Sequence, residues 1–158
     1  MQDETQAQLE HLGPLTGTWT TEGSHPLLPD AVIRGRAVFA WLEGGHFLVW
    51  RSHYEHPDVP DALTVIGFVD ERLSMHYFDS RGVHRLYSVS ASPGEWRFWR
   101  DDADFAQRSA GTFSDDGDTM TVRGQLSRDG TTWDDDLALT FRRASGGDQG
   151  PRGVPAGT

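Results

Sequence analysis

From Thr16 to Arg143 the chain alternates apolar and polar residues in short runs, the two-residue period of strands that bury one face. About ten runs stand out, at roughly 16–23, 31–42, 46–55, 62–70, 73–79, 83–92, 95–101, 105–114, 118–127 and 132–143. Turn formers separate them: Gly44-Gly45, Asp79-Ser80-Arg81-Gly82, Pro93-Gly94, Asp116-Gly117 and Asp129-Gly130. Connections this short join antiparallel neighbours, because a parallel crossover needs about a dozen residues or more. Consecutive hairpins make an up-and-down meander, and closing it hides both edges. The pattern therefore predicts an all-β fold, a roughly ten-stranded antiparallel β-barrel. Ahead of the strands, residues 3–12 carry acids first and His11 near the end, then Gly13-Pro14, which predicts a short N-terminal helix. From Ala144 the chain is rich in Gly and Pro. We read one barrel domain over 1–143 and a flexible tail over 144–158.

Composition narrows the chemistry. Six Trp, eight Phe and three Tyr supply much of the apolar area, which favours a folded core. There is no Cys, so disulfides and thiolate chemistry are excluded, and every one of the 14 basic residues is Arg, which excludes lysine Schiff bases. The net charge of −10 makes nucleic acid an unsuitable partner. No apolar run is long enough for a membrane-spanning helix and no signal segment opens the chain, so we expect a cytoplasmic protein with no membrane partner. A homodimer is compatible with these features.

Gly17-Thr18-Trp19 opens the first strand after the helix. This placement resembles the G-x-W signature of the calycin barrels, the lipocalin and fatty-acid-binding group. The resemblance implies that Trp19 plugs one end while Arg142 or Arg143, from the last strand, lies across its ring. The chain is also similar to uncharacterised bacterial calycin-like proteins through Glu22-Gly23-Ser24-His25-Pro26, Trp41-Leu42-Glu43-Gly44-Gly45 and Asp79-Ser80-Arg81-Gly82. More distantly it resembles the nitrobindins, ten-stranded barrels that hold haem through one histidine near the chain's end. The last histidine here is His84, so we expect no haem and no other cofactor.

Candidate lining residues follow from strand faces. Ile33, Gly35, Ala37, Phe39 and Trp41 share one face, with Arg34 and Arg36 opposite. Over 46–55 the faces are Phe47, Val49, Arg51, His53 and Leu48, Trp50, Ser52, Tyr54; apolarity favours burying the second, a polar cavity the first. A tight turn at Asp79–Gly82 would pair His76 with Arg85, Phe78 with Val83 and Ser74 with Tyr87. Arg85-Leu86-Tyr87 has the R-x-Y spacing that, in fatty-acid-binding proteins, holds a carboxylate. The expected lining is thus Phe39, Trp41, His76, Arg85 and Tyr87, followed by Arg51 and His53.

A metal is not expected: the same turn puts His76 and His84 on opposite faces, and His53 and His56 lack same-face spacing. Acids cluster at Asp101-Asp102-Ala103-Asp104, Asp115-Asp116-Gly117-Asp118 and Asp134-Asp135-Asp136; the middle cluster lacks a calcium-loop frame and reads as a turn with Asp before Gly. No nucleophile elbow or phosphate loop is present. Acid–base pairs could still form from His25 with Glu22 or His76 with Asp79.

The sequence points to a barrel that encloses a small apolar or aromatic molecule with one polar group, the helix and the loop 24–30 covering its two ends or one rim. An enzyme using the same cavity, for cyclisation, isomerisation or haem chemistry, is the alternative. A filled barrel acting through protein contacts is the second alternative.

Overall fold

The structure is a computed structural model that describes residues 2–144; the expected tail lies, from residue 145, outside the described residues. A helix α1 (Gln2–Leu12) runs into a 3-10 turn at Gly13–Leu15. Ten strands follow: β1 (Gly17–His25), β2 (Leu28–Trp41), β3 (Phe47–Tyr54), β4 (Ala62–Val69), β5 (Arg72–Asp79), β6 (His84–Ser92), β7 (Glu95–Arg100), β8 (Ala106–Phe113), β9 (Thr119–Ser127) and β10 (Asp134–Arg143). Each pairs antiparallel with its sequence neighbours, and β1 pairs with β10 to close the barrel. The predicted all-β barrel with a short N-terminal helix is the observed fold.

The helix end of the barrel is plugged. Leu12 and Leu15 are fully buried beside Trp19, and α1 packs on β6 and β7. The Trp19 indole N–H donates to the Leu15 carbonyl at 2.8 Å. Arg143 lies across the ring, its guanidinium carbon 4.2 Å from the centroid, and donates to the Thr16, Pro14 and Gly117 carbonyls. Arg142, one position along β10, points outward and is exposed. Gly17 makes room for this arrangement: its φ is +122°, and a Cβ there would meet the Arg143 guanidinium at 2.9 Å.

Two features near the other end differ from expectation. The segment 24–30 is not a free loop, because β1 runs to His25 and β2 starts at Leu28, leaving a two-residue turn. A register shift between Gly23 and His25 absorbs the extra β2 residues and keeps the hairpin paired to its tip. The β5–β6 connection also holds one more residue than a two-residue turn. The Asp79 N–H donates to the Val83 carbonyl across Ser80, Arg81 and Gly82, with Gly82 at φ +85°. Tyr77 therefore pairs with Arg85, Met75 with Tyr87, His76 with Leu86 and Phe78 with His84. A one-residue slip exchanges faces. Arg85 and Tyr87 join Met75 and Tyr77 on the inside, while His76 and His84 stack outside with ring centroids 5.8 Å apart.

The turn acids act as expected of turns. Asp102, Asp116 and Asp129 each accept backbone N–H groups from residues just beyond them. Among the described residues no cluster of three His, Asp or Glu could hold a metal ion.

Candidate functional site

The barrel is filled near α1 and open at the other end. A cavity of about 550 Å³ enters between the β1–β2 tip, the 55–61 loop and the 101–105 loop. Its deep wall is apolar and aromatic: Trp50, Met75, Phe98, Val122, Leu139 and Phe141. These are inward positions of strands whose alternate residues face solvent, so the two-residue period builds the wall. Trp50 stacks on Phe39 with centroids 4.9 Å apart and meets Trp96, Phe98 and Phe141 edge-on. Its indole N–H is buried and has no hydrogen-bond partner among the described residues. The small side chains of Ser109 and Ala62, with Gly124, keep the middle of the cavity clear.

One polar chain crosses this interior. The Tyr87 hydroxyl donates to Gln107 Oε1 at 2.7 Å, and Gln107 Nε2 donates to Asp136 Oδ2 at 3.3 Å. Asp136 Oδ1 meets His25 Nε2 at 2.8 Å. The Leu27 N–H donates to His25 Nδ1, so the neutral imidazole carries its proton on Nε2 and donates it to Asp136. Asp136 points inward because β10 bulges: Asp135 pairs with Gln125 but Ala138 with Arg123, placing one extra residue between them. The acid partner of His25 is thus Asp136, not Glu22, which bonds Arg34 outside at 3.9 Å.

Asp79 likewise does not pair with His76. Its carboxylate accepts from the Tyr77 hydroxyl at 2.7 Å and from Arg81 at 2.6 Å, and its side chain has no exposed surface. Burial works against its charge, yet the Arg81 guanidinium and Tyr77 hydroxyl hold it well below the usual carboxylate range. Burial and the Asp79 charge push Tyr77 above the ordinary phenol range. Burial also pushes Tyr54 up to about 12, and raises Tyr87 against the opposing charge of Arg85. All three phenols stay protonated at neutral pH.

Of the seven residues expected to line the cavity, Arg85 and Tyr87 do. Phe39 is buried behind Trp50 and braces it. Trp41, half-buried, packs on the core at the plugged end of β2. Arg51 and His53 project outward: the more apolar face, Leu48 to Tyr54, points in, and His53 bonds Asp61 at the surface at 3.0 Å. His76 is turned out by the three-residue loop. Sequence reading missed Gln107, Asp136, Phe105 and Arg128. The first lies on the inward alternation of β8, but the bulge and two loops that place the others leave no periodic signal.

Haem does not fit these residues. His25 is the one histidine on the lining, both its nitrogens are engaged, and the three inward tyrosines are held as phenols rather than phenolates.

A second concavity of about 850 Å³ runs over the outer face of β7–β10, between Trp99 and Trp133. Arg108 crosses it, its guanidinium carbon 3.9 Å from the Trp133 ring centroid, and bonds Gln125 at 2.8 Å. It is the larger but more open space, and we centre the site on the enclosed interior.

No family model and no curated protein matches the chain. Among solved structures it is similar to the crystal structure of Rv2717c from M. tuberculosis, with a TM-score of 0.62 at 16% sequence identity, covering 87% of this chain and 97% of that one. The likeness is one of fold. It agrees with the closed antiparallel barrel and carries no residue role across.

Proposed function

We propose that this chain is a calycin-like binding protein that encloses one small apolar or aromatic molecule bearing a polar group. The observation that carries this reading is the cavity of about 550 Å³, ringed by aromatic side chains and crossed by the Tyr87–Gln107–Asp136 chain. That volume falls in the size range of small-molecule sites, and a mostly apolar wall with few fixed polar groups is their usual composition. The Tyr87 hydroxyl commits its proton to Gln107 and turns its oxygen to the Arg85 guanidinium, which keeps further N–H donors for a ligand. The buried Trp50 N–H supplies a donor in the same wall.

Binding is favoured over turnover by the state of His25, whose two nitrogens are already bonded, so it offers no free base to a substrate. The open volume also speaks against a filled barrel.

Fluorescence titration with pyrenebutanol, an apolar body with one hydroxyl, tests the proposal. Binding with one-to-one stoichiometry and energy transfer from tryptophan is expected, because Trp50 lines the cavity. Absence of saturable transfer would sink it.

A further inference from the structure

The mouth of the cavity gathers like charges. The guanidinium carbons of Arg85, Arg128 and Arg100 lie 5.1, 5.6 and 6.0 Å from the centroid of one ring, Phe105. They come from three separate places: the start of β6, the residue after β9 and the end of β7. The electron-rich faces of Phe105 attract each cation, which offsets part of the cost of gathering three like charges round one ring. Arg100 alone has an acid beside it, Asp102 at 3.5 Å, and it also donates to the Phe105 carbonyl at 2.9 Å. Among the described residues no carboxylate lies within 4.0 Å of Arg85 or Arg128.

This happens in a chain with 24 acids and a net charge of −10, where acidic partners are plentiful. Of the acids in the lining, Asp136 gives both oxygens to His25 and Gln107, and Asp58, on the 55–61 loop, makes no ion pair with Arg85 or Arg128. Arg85, Arg128 and Phe105 all line the cavity. Two guanidiniums without a carboxylate partner, Arg85 beside the Tyr87 hydroxyl and Arg128, together with an aromatic face, suit an oxyanion.

We propose that the mouth is an oxyanion site, and that the ligand is an amphipathic organic anion held with its apolar body down among Trp50, Met75 and Phe141 and its carboxylate or phosphate head between Arg85 and Arg128. This rests on the binding function proposed above and adds the class and the orientation of the ligand. Arg85 precedes Tyr87 by one inward position, so one head group can reach the guanidinium at the rim while the body passes the hydroxyl.

Three probes with one body separate the possibilities: pyrenebutanol, pyrenebutyrate and the phosphate monoester of pyrenebutanol, titrated into the wild type, Arg128→Gln and Arg85→Gln. In the wild type at least one anion should bind ten-fold or more tighter than the alcohol, and added salt should weaken the anion alone. In each variant the anion-to-alcohol ratio should fall to about one. The carboxylate and phosphate arms show which head the site prefers. Equal affinities for all three probes in the wild type would overturn the oxyanion site while leaving the cavity function standing. An unchanged ratio in both variants would do the same. Failure of every probe to bind would overturn both.

Discussion

Tyr77 and Arg85 face each other across the β5–β6 hairpin because the turn between their strands holds three residues. That count decides which side chains the cavity receives. Ser80→Asn with Arg81→Gly and Gly82→Thr would favour a two-residue turn at 80–81, set residue 82 opposite Asp79 and pair His76 with Arg85 instead. His76 and Phe78 would then compete with Met75 and Tyr77 for the interior. We expect this variant to lose its cooperative urea transition; a transition at the wild-type midpoint would contradict the register argument.

Asp79 gives the barrel an acid-sensitive joint. Its folded carboxyl is depressed below the usual value near 3.9, so its contribution is present above that value and is lost as pH falls through and below it. Asp79→Asn should destabilise by about 1.5–3 kcal/mol at neutral pH, the scale of a charged hydrogen bond. The gap between wild type and variant should close on acidification from pH 6 toward pH 3. Urea midpoints across that range check the sign, and a gap that widens would refute it.

At the plugged end, Arg143 both covers Trp19 and satisfies three carbonyl oxygens. Arg143→Met keeps the stem but strands those acceptors, and should cost about 2–3 kcal/mol. Arg143→Lys should recover only part, since one ammonium cannot match the planar fork. Thermal unfolding of the three proteins orders them; equality of the lysine form with wild type would show that charge alone matters.

The strands were legible because alternation and turn chemistry act locally. Phe39 to Trp41, the Gly17-Thr18-Trp19 plug and the Asp116-Gly117 turn each follow from a few adjacent residues. What escaped depends on a single residue of loop length or on distant pairing. Gly82 reads equally well as the residue closing a two-residue turn or as the last residue of a three-residue one, and the choice sets His76 or Tyr77 beside Arg85. His25 and Asp136 are 111 residues apart and meet only through barrel closure and a bulge. Arg51 and His53 lost to Leu48 and Trp50 because the aromatic wall buries more apolar area than a polar lining would.

The polar chain inside the cavity is itself testable. Gln107→Leu strands the Tyr87 hydroxyl and should cost about 1–2 kcal/mol. Adding Tyr87→Phe should return much of that loss, because removing both partners of a buried bond is nearly neutral. Urea denaturation of both single variants and the double completes the cycle; strictly additive losses would mean the two side chains do not interact.

The proposed function puts the small molecule in the interior and not on the surface. Ser109 lines the middle of the cavity, where its small side chain leaves space. Ser109→Trp should fill that space at a stability cost of about 1–3 kcal/mol while the barrel stays folded by circular dichroism. Pyrenebutanol titrated into this variant should show affinity reduced at least ten-fold, with tryptophan-to-pyrene transfer lost. Wild-type affinity in the folded variant would contradict the account, because the probe would then be bound outside the barrel.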